Sequence, residues 1–400
     1  MVTVILVTLY FLNIPGYSAT VDSAIPRVLN IYFFVPAVFL ALAPHVLSLR
    51  YPGGHALEPL ILWAALYMVV GAVWFVLVGP ADAEDLVRQR MVAMATMVGF
   101  FLLFCDSRAV GAARMAIACA VVIGAVLCVL DFAVPSVFVP PEYEFSTPGR
   151  GAAFYVNANR AGSALALGAT LCLAIVPLSW RGGFIALTTI GIVATVSRAA
   201  FLAWILSLAL LFFLKVVRGR DLLAGGLIAS VVGGAGLLWL WSEGVSLDSL
   251  DLIRERLHWL TTLGDSEEQS ASSRGRLMEL AFSAIEARPI FGNGLLGTFR
   301  WDQQSSTHNI YLRLWVEHGI VGLFLYPGLL AVLILRSFSG VPARHTVYAM
   351  CVLFAFFGLF SHNVLEESAF LITYALCAAM GSGPLVRQWT LPSSLASGAN

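Results

Sequence analysis

The chain has 400 residues, of which 59% are hydrophobic and only 12% are charged, and its mean hydropathy is +0.87. Soluble domains carry about a quarter charged residues, so the composition indicates an integral membrane protein. Acidic and basic residues balance at 23 each, which excludes a protein that binds nucleic acid through bulk positive charge.

The apolar runs predict about twelve transmembrane segments, since a span needs about 20 apolar residues. All should be helices, because open strands cannot satisfy their backbone hydrogen bonds in lipid. The first, MVTVILVTLYFLNIPG, lacks the basic start of a signal peptide and is expected to be retained. The predicted spans lie at residues 1–14, 29–48, 58–79, 91–105, 115–134, 161–180, 184–197, 199–217, 222–241, 319–337, 346–361 and 368–386.

The arginines and the single lysine between the spans set the orientation. With both termini inside, ten basic residues lie in inner loops and six, Arg90 among them, in short outer loops, which is the expected bias. The one long loop, from Ser242 to Thr307, then lies outside. The same orientation places these polar residues on the outer side: Arg150, Asn157, Asn159, Arg160, Arg198, Arg274, Arg276, His308 and His362.

This arrangement divides the chain into four regions. Residues 1–241 hold the first nine spans with short loops, and residues 242–318 form the outer loop with its interfacial helices. Residues 319–386 hold the last three spans, and residues 387–400 form an inner tail. The predicted fold is therefore an all-α polytopic membrane protein with one large outer loop that contains short amphipathic helices.

The long outer loop contains two helical patterns. Apolar residues at helical spacing between Leu247 and Leu260 predict an amphipathic helix that lies on the membrane or on the bundle. A second helix follows the polar segment GDSEEQSASS, with Ser272 or Ser273 as its N-cap. Pro289 is expected to end it.

The first turn of that second helix is predicted to carry Arg274 and Arg276. Arginines are unusual there, because the helix macrodipole favours acidic residues at this end. With the free N–H groups of the turn they could grip a phosphate, or they could extend to lipid headgroups. The loop holds ten acidic residues and six arginines, so phosphate binding would depend on placement rather than on bulk charge.

Two short segments add polar residues on the same side. RGAAFYVNANRAG carries Arg150, Asn157, Asn159 and Arg160 where a span begins, and TVSRAAF places Arg198 in a hairpin between two spans. An arginine at the membrane boundary is energetically costly and is a functional candidate by default. From the sequence, Arg198 is equally well explained as a ligand for substrate or as an anchor to lipid headgroups.

The segment THNIYLRLWVEHGIVG follows the long loop. In helical register His308 shares a face with Leu312 and Trp315. Arg313 and Glu317 form an i,i+4 pair in the less favoured charge order. Taken alone, a histidine at the start of a span is more often an interfacial residue than a catalyst.

Neighbouring glycines and histidines complete this part of the sequence. Gly319 and Gly322 would allow the following helix to pack closely. His318 and His258 are interpreted as ordinary interfacial residues. His362 with Glu366, in SHNVLEE, is placed to orient a group at the outer mouth of the protein.

Several kinds of site are missing from the sequence. It contains no GxSxG, HExxH or GKT motif and no DxD in the outer loops. It has no cluster of His, Cys or acidic residues at metal-ligand spacing, and its six cysteines form neither a disulfide framework nor a CxxC site. We therefore expect a reaction without metal or cofactor, in which arginines stabilise the negative charge of a phosphate.

The segment that ends the long loop resembles the signature region of the O-antigen ligase and polymerase superfamily. SSRGRLMELAFSAIEARPIFGNGLLGTF matches an arginine-bearing helix followed by a piFGxG turn, and THNIYLRLWVEHGIVGLFLY matches an HNxxL…E.GixG sequence at the start of a span. TVSRAAF and YVNANRAG are similar to the family's earlier short motifs. The resemblance covers residues 150–335 approximately.

The resemblance implies a glycosyltransferase of the bacterial inner membrane, similar to the helical, GT-C-like, metal-independent and inverting enzymes. An O-antigen ligase transfers polysaccharide from an undecaprenyl-pyrophosphate-linked donor to a lipid A-core acceptor in the periplasm. The implied enzyme is multi-pass, with both termini in the cytoplasm and the active site in the periplasm. Its expected partners are these two substrates and membrane lipids, with no nucleic acid, and it is expected to be a monomer or a weak oligomer.

The resemblance also assigns residues. His308 corresponds to the family's essential histidine, and Arg198 and Arg274 correspond to its essential arginines. Arg276 is an alternative to Arg274, since either arginine of RGR can take that position. The orientation argument adds Arg150 and Arg160 as candidates for binding pyrophosphate, and the predicted supporting residues are Asn157, Asn159, Asn309, Glu317 and His362.

The predicted roles follow from the chemistry of the donor. Its pyrophosphate is already a good leaving group, so fixed arginines in a low-dielectric pocket would stabilise the charge that develops on it. His308 would either remove the proton of the acceptor hydroxyl or only orient that hydroxyl. The sequence does not separate these two roles.

Three alternatives to a ligase remain. A polymerase of the same superfamily would use a second lipid-linked glycan as acceptor, and the single large loop in a chain of 400 residues favours a ligase only slightly. A protein O-oligosaccharyltransferase would be expected to be longer. A transporter is disfavoured, because the charged residues gather on one face rather than at the membrane midplane.

Overall fold

The computed structural model describes residues 1–21, 58–78, 83–135, 137–140, 143, 149–242, 269–298, 306–337 and 344–381. Some sequence predictions lie outside these residues. They are the span at 29–48, the amphipathic helix between Leu247 and Leu260, His258 and the tail at 387–400.

The described part of the chain is helical, with thirteen α-helices, one 3₁₀ turn at Ala153–Tyr155 and no strand. A helix overlaps every predicted span that falls within these residues. The helices are α1 Val2–Phe11, α2 Ile14–Thr20, α3 Pro59–Val78, α4 Glu84–Leu103, α5 Ser107–Ala133, α6 Ala158–Cys172, α7 Arg181–Ala194, α8 Arg198–Phe213, α9 Gly219–Ser242, α10 Gln269–Ala287, α11 Ile310–Ser337, α12 Arg344–Phe360 and α13 Ser368–Gly381.

Four of the described helices are long and apolar enough to cross a membrane unaided: α3, α4, α5 and α11. Helices α1 and α2 pass the same test only as one broken segment with a bend of 48°. Helices α7, α8, α12 and α13 are apolar but shorter. The prediction of an all-helical membrane protein is confirmed. The total of about twelve spans and the GT-C-like architecture stay predictions.

Helix α6 lies at the centre of the bundle, where α5, α7, α8, α12 and α13 pack around it. Every residue from Ala161 to Leu173 is buried. The run AGSALALGATLC explains this position, because small side chains let neighbouring helices approach closely. A Cβ at Gly168 would lie 2.6 Å from both Phe11 Cζ and Val121 Cγ2.

Helix α11 is interrupted at Gly319, whose φ of 60° and ψ of −146° are not helical. A side chain at Gly319 would collide with the carbonyl oxygen of Ile290, which lies in the turn that follows α10. That turn is fastened to the interruption by hydrogen bonds from Ile320 N to Ile290 O (3.1 Å) and from Gly294 N to Glu317 O (3.0 Å). The close packing predicted at Gly319 is therefore made with this turn, which carries the FGNG sequence at residues 291–294.

One end of the bundle, called here the polar end, is where α5, α7 and α12 end and where α6, α8, α11 and α13 begin. The connection before α6 crosses it. Asp131 Oδ2 accepts hydrogen bonds from Ala152 N (2.7 Å) and Ala153 N (2.9 Å), and Gly151 N donates to Ala194 O (2.8 Å). The ends of α5 and α7 therefore fix the segment that leads into the central helix.

Candidate active site

His308 lies just before α11 rather than on it, so the predicted helical face shared with Leu312 and Trp315 is wrong. Its φ of 52° is left-handed, a conformation that costs a residue with a side chain about 1–2 kcal/mol. The helix starts only after Asn309, whose Oδ1 accepts a hydrogen bond from Leu312 N at 3.1 Å. This cap explains why the helical register does not extend back to the histidine.

His308 packs against the imidazole of His362. The two ring centroids are 5.2 Å apart in an edge-to-face arrangement. His362 belongs to the loop between α12 and α13, where burial, followed by the charges of Arg313, His308 and Arg160, lowers its pKa far below the usual range. The ring of His362 is therefore neutral at physiological pH.

Arg313 connects α11 with the loop that carries His362. Its side chain is 2% exposed, its Nη1 donates a hydrogen bond to His362 O (3.0 Å), and the same nitrogen forms an ion pair with Glu366 Oε1 at 2.9 Å. Its Nε donates to Glu317 Oε1 at 3.3 Å. The predicted pair of Arg313 and Glu317 thus forms, but in the protein interior, where two carboxylates compensate one guanidinium.

Arg90 reaches the same carboxylate from α4. Its guanidinium donates to Glu317 Oε2, its Nη1 lies 3.1 Å from His318 Nε2, and its Cζ lies 5.5 Å from the centre of the Tyr67 ring. The prediction of Arg90 in an outer loop is wrong, because α4 begins at Glu84 and carries Arg90 into the bundle. We refer to Arg90, Arg313, Glu317 and Glu366 as the buried ion cluster.

His318 borders the buried ion cluster and is itself fully buried, so its interpretation as an interfacial residue is wrong. Its ring stands edge-to-face with that of Trp74, with the centroids 5.7 Å apart. Its Nε2 accepts a hydrogen bond from Arg90 when that nitrogen carries no proton. Burial is tolerated because the imidazole can pair with a guanidinium that Glu317 already neutralises.

The first turn of α6 gathers four of the predicted residues. Asn157 caps the helix, and its Oδ1 accepts hydrogen bonds from Asn159 N (2.9 Å) and Arg160 N (3.4 Å). Arg150 Nη2 donates to Asn159 Oδ1 at 2.8 Å. Arg160 Nε lies 3.4 Å from Glu367 Oε1, which joins α6 to the start of α13.

Arg198 is the first residue of α8, in the hairpin predicted from TVSRAAF. The turn before it contains Val196 with a left-handed φ of 49°, which is rare for a β-branched residue. Arg150 Nε donates to Thr195 O at 3.1 Å, so this turn is fastened to the segment before α6. The structure therefore brings the two short motifs together at the polar end.

The helix with the RGR sequence differs from its prediction. The described part of helix α10 already includes Gln269, so neither Ser272 nor Ser273 is its N-cap. Arg274 and Arg276 therefore lie beyond the first turn, away from the free N–H groups of the helix start. Arg276 is exposed, and the side chain of Arg274 lies outside the described residues.

The sequence interpretation named Glu366 beside His362 but gave no role to Arg90, Asp131 or Glu367. A signal existed for Arg90, because RQRMVAMATMVGF places a charge at the start of an otherwise apolar run, and such charges are rarely accidental. Glu366 and Glu367 were visible as an acidic pair directly before a span. Their contacts with arginines of α11 and α6 depend on the tertiary fold.

The polar end combines groups suited to a transfer reaction. One imidazole, His308, lies beside a second, neutral imidazole, and arginines at the starts of α6 and α8 lie at the same end. Such groups can accept a proton from a hydroxyl and stabilise negative charge on a leaving group. The buried ion cluster beneath them holds their loops in place. These features define an all-helical membrane protein with a polar site at one end of its bundle.

Residues 183–326 match the family model described as O-antigen ligase, which confirms the predicted resemblance over this region. The matched region contains Arg198, Arg274, Arg276, His308, Asn309 and Glu317. Arg150, Asn157, Asn159, Arg160 and His362 lie outside it. No curated protein matches the chain significantly.

Proposed function

We propose that this protein is an O-antigen ligase. It transfers an undecaprenyl-pyrophosphate-linked O-antigen polysaccharide to a sugar hydroxyl of lipid A-core, at the periplasmic face of the bacterial inner membrane. Both termini then lie in the cytoplasm. The proposal is supported by the family match over residues 183–326 and by the polar groups that surround the histidine within it.

The observation that carries the proposal is the setting of His308. This residue falls inside the matched region, is held in a left-handed backbone conformation, and contacts a second histidine from a distant part of the chain. Left-handed backbone in residues other than glycine is concentrated at functional sites, where the surrounding structure maintains it. A histidine that served only as a membrane anchor would need none of these constraints.

In the proposed reaction the acceptor hydroxyl oxygen attacks the anomeric carbon of the donor. A new glycosidic C–O bond forms, the bond from that carbon to the pyrophosphate oxygen breaks, and the bonding electron pair leaves with the pyrophosphate. Attack from the opposite side inverts the anomeric centre. His308 receives the hydroxyl proton, a contribution worth about 10²–10⁴-fold in rate.

The arginines have the complementary task in this proposal. Arg198 stabilises charge on the departing pyrophosphate, with Arg274 or Arg276 as the contribution from α10. Arg150 and Arg160 are proposed to assist the donor indirectly. Their contacts with Asn159, Thr195 and Glu367 position the first turn of α6, which lies beside Arg198 at the polar end.

The test is a gene deletion in a strain that makes full lipopolysaccharide, complemented with wild type or with His308→Ala. Loss of the whole polysaccharide ladder, with bare core and accumulated lipid-linked polymer, supports a ligase. A core that carries one repeat unit would instead indicate the polymerase, which the family match does not exclude. An unchanged ladder, or full activity of His308→Ala at normal protein levels, would contradict the proposal.

A further inference from the structure

We propose that a cavity of about 220 Å³ at the polar end binds a neutral sugar residue of the acceptor glycan. This inference rests on the proposed function and specifies where its second substrate lies. The cavity is formed between the bend of α1 and α2, the start of α6 and the start of α13. Its walls include Phe11, Asn13, Tyr155, Arg160, Glu366 and Glu367.

The cavity is joined to the candidate active site through two of its wall residues. Glu366 Oε1 forms an ion pair with Arg313 Nη1, and the same nitrogen donates a hydrogen bond to the carbonyl oxygen of His362, whose ring contacts His308. Glu367 forms the ion pair with Arg160 in the first turn of α6. A ligand in the cavity therefore lies next to the groups that hold both histidines.

The charges of the wall favour a neutral polyhydroxyl ligand over a phosphate. The wall carries the carboxylates of Glu366 and Glu367 and the guanidinium of Arg160. Each carboxylate is already paired, Glu366 with the buried Arg313 and Glu367 with Arg160, so no positive charge is left over for a pyrophosphate. Sugar hydroxyls, by contrast, can donate to carboxylates and accept from a guanidinium, which favours a neutral acceptor sugar at this position.

Two aromatic side chains line the cavity, those of Phe11 and Tyr155. Tyr155 is 3% exposed, and its hydroxyl lies against Gly124 of α5 rather than opening onto the cavity. The rings of Tyr155 and Phe11 supply apolar surface for the C–H faces of a sugar.

The size of the cavity limits what it can hold. Pockets for drug-sized ligands measure about 300–1,000 Å³, so a cavity of 220 Å³ fits a single ring rather than a chain. We therefore assign it to the sugar at or next to the one that receives the polysaccharide. The rest of the acceptor would extend outside the cavity.

The first experiment measures initial rates with the full-length protein in nanodiscs. Lipid A-core is varied at saturating donor, and the donor is varied at saturating lipid A-core. Glu367→Gln should raise KM for the acceptor by about tenfold or more, the effect of losing a charged hydrogen bond, and leave KM for the donor within about twofold.

A second variant, Ala369→Leu, fills the cavity and should likewise raise KM for the acceptor. Glu286→Gln on the exposed side of α10 is the matched control and should leave both constants unchanged.

A binding measurement separates this inference from the proposed function. Saturation-transfer NMR with deacylated core oligosaccharide should show contacts to wild type and to Glu286→Gln, and these should weaken in both cavity variants. A rise in KM for the donor rather than the acceptor, or unchanged oligosaccharide binding in both variants, would overturn the sugar site. If wild type transfers nothing to lipid A-core, the proposed function fails, and the oligosaccharide contacts alone then support or refute the sugar site.

Discussion

Arg313 donates a hydrogen bond from Nη1 to the carbonyl oxygen of His362 at 3.0 Å, across 49 residues of sequence. The arginine belongs to the first turn of α11, which starts two residues after His308. The bond therefore fixes the loop with one histidine to the helix that follows the other. Because the guanidinium is buried between Glu317 and Glu366, this link has little freedom to move.

The buried ion cluster should be highly sensitive to loss of one partner. Arg90→Met leaves Glu317 with a single guanidinium, and breaking a buried pair costs about 3–5 kcal/mol. We expect a clear drop in the thermal unfolding midpoint of the detergent-solubilised protein. Arg88→Met is the matched control, because Arg88 pairs with Asp85 at 76% and 77% exposure, and exposed pairs contribute less than about 1 kcal/mol.

The same cluster predicts strong coupling between its members. Arg90→Met combined with Glu317→Gln should cost less than the sum of the two single changes, because the second change removes the unpaired charge that the first creates. The measurement is a double-mutant cycle on the unfolding midpoint. Simple additivity of the two effects would show that the contact contributes nothing to stability.

The two histidines should differ in what they contribute. His308→Ala is expected to lower the transfer rate about 10²–10⁴-fold with little change in the unfolding midpoint, as for a residue that handles a proton. His362→Ala should lower the rate less, because its neutral ring supports His308 without exchanging a proton with substrate. Rates of both variants in nanodiscs test this, and equal losses would contradict the assignment.

Glu367 should make stability depend on pH. Burial and the neighbouring Glu366 raise its pKa from 4.5 to about 7, despite the opposing charge of Arg160. The folded state then binds the proton more tightly than the unfolded state, so the stabilisation is complete below pH 4.5 and is lost as the pH rises through about 7. The difference in unfolding midpoint between wild type and Glu367→Gln, measured from pH 4.5 to pH 8, should follow this course. A difference that stays constant over that range would show that the carboxyl group is not perturbed.

Gly319 should tolerate no side chain. Its backbone conformation is one that favours glycine, and a Cβ would overlap the carbonyl oxygen of Ile290. We expect Gly319→Ala to reduce the amount of folded protein recovered from membranes. Gly226→Ala in α9 is the control, because a Cβ there meets nothing and alanine favours the helix by about 1 kcal/mol. Normal yield of Gly319→Ala would rule out the tight contact.

Several features of this protein were predictable from local sequence. Apolar runs indicated the membrane class and the positions of the helices, because the cost of burying unpaired backbone in lipid leaves few other structures. The signature around His308 indicated a resemblance to the O-antigen ligase family, and the family match over residues 183–326 confirms that resemblance. TVSRAAF was correctly predicted as a hairpin, because two apolar runs separated by a few polar residues leave little room for anything else.

The errors came from assigning long-range partners by local rules. Arg90 and His318 were placed at the surface, since a charged residue near the end of an apolar run usually extends to water. The start of α10 and the register of His308 were also wrong, because helix ends depend on caps that sequence defines poorly.

The sequence by itself determined the membrane class, most helix positions and the resemblance that selects His308, Arg198 and Arg274. Only the tertiary structure decided which charges are buried together. Glu317 neutralises Arg90 from another helix, and Glu366 reaches Arg313 from a loop more than fifty residues later. Such pairs form because an isolated charge is too costly to bury while a compensated one is not. The compensation depends on where helices meet in space, which no local pattern of residues encodes.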